Sequence, residues 1–437
     1  MKLVIFYKKV MYRKERYYLE KVKNNNEIKS DIKYRRVWWL YPSKLIIGFI
    51  IPIYIILGVS YSNKDSIDIA LNYFNDLFII GLIILLIFYI GSFMGERINI
   101  RKKDLNFKFY LNSIYLDLLF ILTIFAYILW FHKILIKPSI ILELLSGDGT
   151  TMYYIRNTCI QVEGVTTLTQ LGVVYAIFFM LVQTKKINSN CEKRHFIYLF
   201  IILFFTLFRS LAWSERLALL EVLIPVIIII MSKIKRKSFF IRFAPYIGII
   251  MLLFYFGVFE YFRSWAGHYK YIYDSYSEFV IDRVSSYYIT ALNNGAGIFS
   301  IYGVSKGLGS FFASLYKIPF IGHALSQVLY PENNKYAYLY NYANLEFNNS
   351  SGIYEIIIQL GIPLGILFTM GLGILIGLMF NQFKNCNGIG IFMYPLLYIG
   401  IIEILRLFYF TETRTLYIYI FILIGYILFI KKNYNKA

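Results

Sequence analysis

Apolar runs of close to twenty residues recur along this chain between short polar stretches, and no other feature limits the possible folds as strongly. A helix rises about 1.5 Å per residue, so about 20 apolar residues match the hydrocarbon core of a bilayer. Ten runs are predicted to be membrane-spanning helices: 45–61, 77–95, 113–131, 166–183, 196–213, 216–231, 243–262, 352–380, 389–409 and 415–430. The fifth and sixth are nearly contiguous and predict a tight helical hairpin. The eighth carries Gly361, Gly365, Gly371, Gly373 and Gly377, a spacing that allows close helix packing or a break. Charged residues make up 16% of the chain and hydrophobic ones 58%. Soluble domains carry roughly 25% charge, and a soluble chain of this size needs far more polar surface. A soluble enzyme is thereby excluded.

The net charge of +20 would suit a nucleic-acid partner if it were clustered on one domain. It is instead spread over the segments between spans. Lys and Arg number twelve between Lys2 and Arg36, five in 95–110, four in 184–195, five in 232–242, one in 381–388 and three at the C-terminus. With Lys44, these hold 31 of the 45 basic residues. The stretches are alternate connections, so one face is consistently basic. The positive-inside rule makes that face cytoplasmic, with both termini inside and an even number of spans. The expected architecture is an all-α polytopic membrane protein with one large late extracytoplasmic loop. Its parts are a basic segment 1–43, spans one to seven over 44–262, the loop 263–351, spans eight to ten over 352–430, and a tail 431–437. The polar start, with its first apolar run near Leu45, predicts an uncleaved signal anchor. Within the large loop, the Gly-spaced apolar part 295–329 fits a re-entrant or interfacial helix.

Cys159, Cys191 and Cys386 share no metal-like spacing, and this topology separates Cys159 from the other two. The four histidines are scattered, so neither a metal site nor a cofactor is expected.

The residues that need an explanation are charges at the outer ends of spans. Arg209 closes the fifth span, and Arg216 and Glu221 open the sixth. Glu403 and Arg406 lie one turn apart in the ninth, and Glu412 and Arg414 form the last outer turn. Ionisable groups at membrane depth are costly and are paired or functional. The plain alternative is that Arg216 and Arg414 snorkel to headgroups and that Glu403 with Arg406 is a packing pair. Several arginines on the face opposite the basic one weigh against that alternative for the group as a whole.

The large loop begins Glu260-Tyr261-Phe262-Arg263-Ser264-Trp265 and continues through His268, Asp274, Glu278 and Arg283 among many tyrosines. Guanidinium groups bind phosphate oxygens bidentately, and aromatic faces pack on sugar rings. An interfacial aromatic belt is the competing explanation. A third signal, Asn348-Asn349-Ser350-Ser351-Gly352 ahead of Gly361-Ile362-Pro363-Leu364-Gly365, reads as a helix N-cap or as a polar helix start suited to an anionic group.

Taken in order, these elements resemble the bacterial oligosaccharide repeat-unit polymerases (Wzy class) and, more distantly, the O-antigen ligases. Arg216-Leu217-Ala218-Leu219-Leu220 matches the Arg-x-x-x-Leu pattern of the ligases, and Tyr261-Phe262-Arg263 the polymerase-like entry into a Tyr-rich loop. The Asn/Ser element and Gly-x-x-x-Gly fall at 348–365, without the histidine of the ligases. The resemblance covers roughly residues 200–430. It implies a metal-independent glycosyl transfer at the outer face of the bacterial cytoplasmic membrane. A glycan on undecaprenyl diphosphate would pass to the terminal sugar of another lipid-linked unit. Arg216, Arg263 and Arg283 would bind diphosphate, with Arg209, Arg406, Arg414, Tyr261, Trp265 and Asn349 contributing to substrate binding. His268, Glu260, Asp274 and Glu278 are the candidate bases. Membrane lipid, a chain-length regulator and a flippase are the implied partners, and nucleic acid is not. A lipid-linked oligosaccharide flippase, expected to show two related halves, and another polyprenyl-phosphate glycosyltransferase, which Asp65, Asp68 and Asp76 would suit, are the competing assignments.

Overall fold

The computed structural model describes residues 37–62, 72–98, 107–137, 139–145, 164–213, 215–234, 238–265, 269–305, 334–343 and 346–434, with a few isolated positions between them. The segment 1–36 and His268 lie outside the described residues, and 295–329 is described continuously only to residue 305.

About 82% of the described residues are helical. Helix α1 runs from Pro42–Leu45 through a π-helical turn at Ile46–Ile50 into Ile51–Ser62. It is followed by α2 (Tyr73–Arg97), strand β1 (Phe107–Leu111) and α3 (Ile114–Ile136). A 3-10 turn at Thr166–Gln170 leads into α4 (Leu171–Gln183). Then come α5 (Arg194–Ala212), α6 (Arg216–Met231) and α7 (Ala244–Glu260), which ends in a π-helical turn at Tyr261–Trp265. The second half holds α8 (Tyr276–Tyr302), α9 (Asn334–Tyr342), α10 (Gly352–Asn385), α11 (Gly390–Glu403) and α12 (Thr413–Ile424). The chain ends in strand β2 (Ile430–Tyr434). Among the described residues, six helices are long and apolar enough to cross a membrane: those over 42–60, 73–97, 114–136, 166–183, 194–212 and 352–385. The helices α7, α11 and α12 are apolar but shorter.

Close packing of α2 on α10 organises the bundle, and no other pair of described helices packs as extensively. Gly91 and Gly95 of α2 meet Gly373 and Gly377 of α10 with backbone against backbone. A Cβ at Gly373 would stand 2.8 Å from the Phe88 carbonyl oxygen, closer than carbon and oxygen tolerate. The predicted break is present as well. Gly361 has φ +72° and ψ 171°, inside α10 and two residues before Pro363. The left-handed φ needs glycine, and the proline cannot donate to the helix ladder.

The stretches expected on the basic face meet at one end of the bundle. β1 pairs antiparallel with β2, Leu111 opposite Ile430, and β1 also bonds Asn188. The indoles of Trp38 and Trp39 donate to the carbonyls of Arg242 and Ile241 (2.7 and 2.8 Å). The Lys186 ammonium donates to the Phe383 carbonyl at 3.1 Å, and the Ser43 N–H to Glu96 at 2.8 Å. The small sheet is a minor addition to described residues that are otherwise helical, the all-α class expected from the sequence. It forms because two connecting segments lie side by side where β-branched and aromatic residues continue past the helices.

Two expectations are corrected. The stretch 263–351, expected as one long loop, contains α8, a helix of 27 residues packed on α2, α7 and α10. Its start is capped by Ser275, whose hydroxyl accepts from the Glu278 N–H at 3.2 Å. Its inward face carries buried Arg283, Ser286, Thr290, Asn293 and Asn294, so it has no apolar run to detect. Those polar groups are satisfied by neighbours. The Asn293 carbonyl accepts from the N–H groups of Tyr73 and Phe74 (2.9 and 3.1 Å), which would otherwise be free at the start of α2. The ninth span, expected to reach residue 409, ends as α11 at Glu403. The N-terminus of α10 abuts the turn beyond it, and the Ser351 hydroxyl donates to the Ile404 carbonyl at 3.3 Å. The hairpin of α5 and α6 is as tight as expected, with three residues between them.

Candidate functional site

Opposite the basic end, five arginines meet five glutamates. The first group joins α6, α7 and α8. Arg216, at the first position of α6, places Nη1 2.7 Å from Oε1 of Glu260 at the last position of α7. Arg283, two turns into α8, directs Nε to the other oxygen of Glu260 at 3.5 Å. Glu260 is 1% exposed in its side chain, and it also accepts from the Ser264 hydroxyl at 2.6 Å. A buried carboxylate is therefore clamped between two buried guanidinium groups, so that each charge has a counter-charge.

Aromatic rings fix both arginines. The Arg216 guanidinium lies 4.2 Å from the Phe256 ring centroid and 4.7 Å from that of Tyr287, whose hydroxyl also accepts from it. Its backbone carbonyl accepts from the Tyr255 hydroxyl at 2.9 Å. Arg283 lies 4.7 Å from the Phe347 ring centroid. Arg283 and Tyr287 are four residues apart on α8 and share a face. One turn or two further along, Asn294 donates to the carbonyls of Phe347 and Asn349 (2.8 and 3.1 Å) and holds that segment against α8.

The segment supplies Glu346, whose carboxylate faces Arg283 bidentately, with Nη1 2.9 Å from Oε2 and Nη2 against Oε1. The Tyr269 hydroxyl donates to Oε2 at 2.9 Å. Burial first, and then the bond to Glu346, raise the Tyr269 phenol above its ordinary value, so it stays protonated and donates.

A second group lies where α5 turns into α6. Arg209 donates through Nε to Glu215 at 2.7 Å and through Nη1 to the Thr169 hydroxyl at 2.9 Å. Glu221, with no exposed side-chain surface, accepts from the Tyr409 hydroxyl at 3.0 Å and from Arg414 at 3.5 Å. With its amide turned to satisfy both neighbours, Gln170 accepts from Arg209 (3.3 Å) and donates to Glu221 (3.2 Å). The third group is the pair Glu403–Arg406 at 2.7 Å, three residues apart as expected. Of the two arginines that could snorkel, Arg216 is buried and Arg414 is 27% exposed in its side chain. Arg209, Arg216 and Arg283 are 7, 8 and 5% exposed in their side chains.

Arg216, Arg283 and Glu260 thus come together, from positions 67 residues apart, while Arg209 and Arg414 belong to the neighbouring group. Arg263 falls in the π-helical turn after α7, and its side chain lies outside the described residues. Tyr261 is exposed and packs on Tyr276 with ring centroids 5.7 Å apart, and Trp265 packs on the same ring at 5.0 Å. Asn349 contributes a carbonyl to Asn294. Asp274 and Glu278 are exposed at the start of α8, and among the described residues neither pairs with an arginine. Glu346 escapes sequence reasoning because a single acid in a long polar loop looks like every other solvated charge. Glu355 escapes because it sits in the apolar start of α10, where Ser350 donates to it at 2.7 Å.

Beside the first group, α7 and α8 leave a cleft of about 640 Å³ lined by Leu253, Phe254, Gly257, Val258, Tyr261, Tyr276, Ser277, Val280 and Ile281. Gly257 lies one helical turn before Glu260 and Val280 one turn before Arg283, so the apolar cleft adjoins the arginine pair. Comparison with family models, curated proteins and solved structures finds no match to the chain.

Proposed function

We propose that this chain is a membrane glycosyltransferase that polymerises oligosaccharide repeat units carried on a polyprenyl diphosphate, at the extracytoplasmic face of the bacterial cytoplasmic membrane. The observation that carries the reading is the pair Arg216 and Arg283, held by Glu260 beside an apolar cleft, at the end of the bundle away from the basic segments. Ten spans with both termini in the cytoplasm put that end outside.

In this reading the prenyl chain lies in the cleft between α7 and α8, and the diphosphate reaches Arg283 and Arg216. Guanidinium groups already in place stabilise the charge that develops on diphosphate as the glycosidic bond breaks. Their orientation is set in advance by Glu260 and by the rings of Phe256, Tyr287 and Phe347, so little reorganisation accompanies the reaction. The acceptor hydroxyl attacks the anomeric carbon, its proton passes to a base, and the prenyl diphosphate leaves. Both oxygens of Glu260 are engaged by Arg216, Arg283 and Ser264, so it positions the arginines, and His268, Asp274 and Glu278 remain as candidate bases.

The test is a deletion strain examined for surface glycan and lipid-linked intermediates. Single repeat units with no long chains are expected. Complete units trapped at the cytoplasmic face would instead make the chain a flippase, and incomplete units would make it a glycosyltransferase of unit assembly.

A further inference from the structure

Two carboxylates compete for Arg283, and they are not equivalent. Glu260 is 1% exposed and is shared with Arg216 and Ser264, so its departure would break a second buried ion pair. Glu346 has a side chain 32% exposed and sits between α9 and α10 on a connecting segment that is outside any helix. It meets Arg283 end-on, Nη1 and Nη2 each facing one oxygen, a bidentate geometry in which guanidinium also receives a phosphate group. Among the described residues, the charged groups joined here, Arg216, Arg283, Glu260 and Glu346, sum to zero. A diphosphate added to that set would find no net positive charge, and the bidentate face of Arg283 would already be taken.

We infer that Glu346 is an internal stand-in for the diphosphate: it holds the phosphate subsite on Arg283 in the empty chain and is exchanged for the ligand when lipid diphosphate binds. The inference rests on the diphosphate reading of this site. Exchange leaves Arg216, Arg283 and Glu260 with one net positive charge facing the ligand, while Glu346 swings toward solvent, where its charge is readily hydrated. Tyr269, which donates to Glu346 at 2.9 Å, stabilises the closed arrangement. Apparent affinity is then reduced by the fraction of chains in which Glu346 still occupies Arg283. The same exchange keeps the arginine pair covered against other anions, since only a ligand anchored by its chain in the adjoining cleft reaches a high local concentration.

The experiment measures binding of inorganic pyrophosphate and of farnesyl diphosphate to the full chain in detergent micelles. Charge-assisted hydrogen bonds at a partly exposed site predict that Glu346→Gln binds pyrophosphate about tenfold more tightly than the unmodified chain. Tyr269→Phe, which removes the bond to Glu346 and the longer 3.5 Å one from Arg283 and leaves every charge in place, should tighten binding by a smaller factor. Arg283→Gln should abolish the gain when combined with Glu346→Gln. Equal or weaker pyrophosphate binding by both Glu346→Gln and Tyr269→Phe would overturn the inference, as would a gain that survives Arg283→Gln. Farnesyl diphosphate should bind more tightly than pyrophosphate in every variant that retains Arg283. The result is independent of the glycan phenotype: tighter binding by Glu346→Gln alongside an unchanged surface glycan in the deletion strain would retain the exchange and reject the polymerase.

Discussion

Replacing Glu260 with glutamine tests whether one carboxylate holds the arginine pair together. The side chain keeps its shape and its ability to accept from Ser264, but it loses the charge that lies 2.7 Å from Arg216 and 3.5 Å from Arg283. Removing one partner of a buried ion pair leaves an uncompensated charge and costs about 3–5 kcal/mol. Here two guanidinium groups lose the same partner, and Arg283 keeps a second carboxylate, Glu346. The upper part of that range is therefore expected. Glu346→Gln removes a charge that is 32% exposed, which solvent screens, and should cost about 1 kcal/mol or less. At the usual unfolding entropy per residue, a chain of this length shifts its unfolding temperature by about 1 °C for each kcal/mol. Detergent-solubilised protein followed by thermal unfolding should show Glu260→Gln lowered by about 3–5 °C and Glu346→Gln by about 1 °C. The double variant Glu260→Gln/Arg283→Gln should lose less than the sum of its single changes, because both changes break the same Glu260–Arg283 pair. A Glu260→Gln protein as stable as the unmodified chain, or strictly additive single and double changes, would refute the clamp.

Three other outcomes are expected. Arg216→Ala and Arg263→Ala should each abolish long-chain glycan in complemented cells while protein level and membrane insertion are kept. The loss of a preorganised donor to a developing charge is worth about 10²–10³ in rate, so full-length glycan from both variants would remove the diphosphate assignment. Gly373→Leu should fail to accumulate as folded protein, because its side chain would drive into the Phe88 backbone, whereas Gly371→Leu, which faces open space, should behave as the unmodified chain. Equal tolerance of the two would contradict the close packing of α2 on α10. In intact cells, a membrane-impermeant maleimide should label Asn348→Cys and spare Lys193→Cys, two exposed positions at opposite ends of the bundle. The reverse pattern would invert the orientation.

Much of the helical scaffold is legible in the sequence because hydropathy is additive along the chain. Each apolar run declares itself without reference to its neighbours, and each basic stretch declares the end at which it lies. Helical segments accordingly stand at all ten of the positions expected, within a few residues at most ends and with an early stop at Glu403. The arginines at the helix ends are visible for a related reason: a charge beside an apolar run is conspicuous wherever it points. The sequence by itself also marked α10 as a helix able to approach a neighbour closely or to break, since a glycine's lack of a Cβ is a local property, while the packing decided which of its glycines does either.

What only the tertiary structure decided is which groups meet. Arg216, Glu260, Arg283 and Glu346 come from three helices and a connecting segment, and no local pattern links a guanidinium to a carboxylate forty or sixty residues away. Helix α8 was hidden for the same reason. Its inward residues Asn293 and Asn294 are polar, and they become good core residues only because the start of α2 and the segment 347–349 offer them partners. A polar side chain has no fixed burial preference: it is costly to bury alone and nearly neutral to bury when bonded, so its place is decided by the neighbours that the fold brings to it.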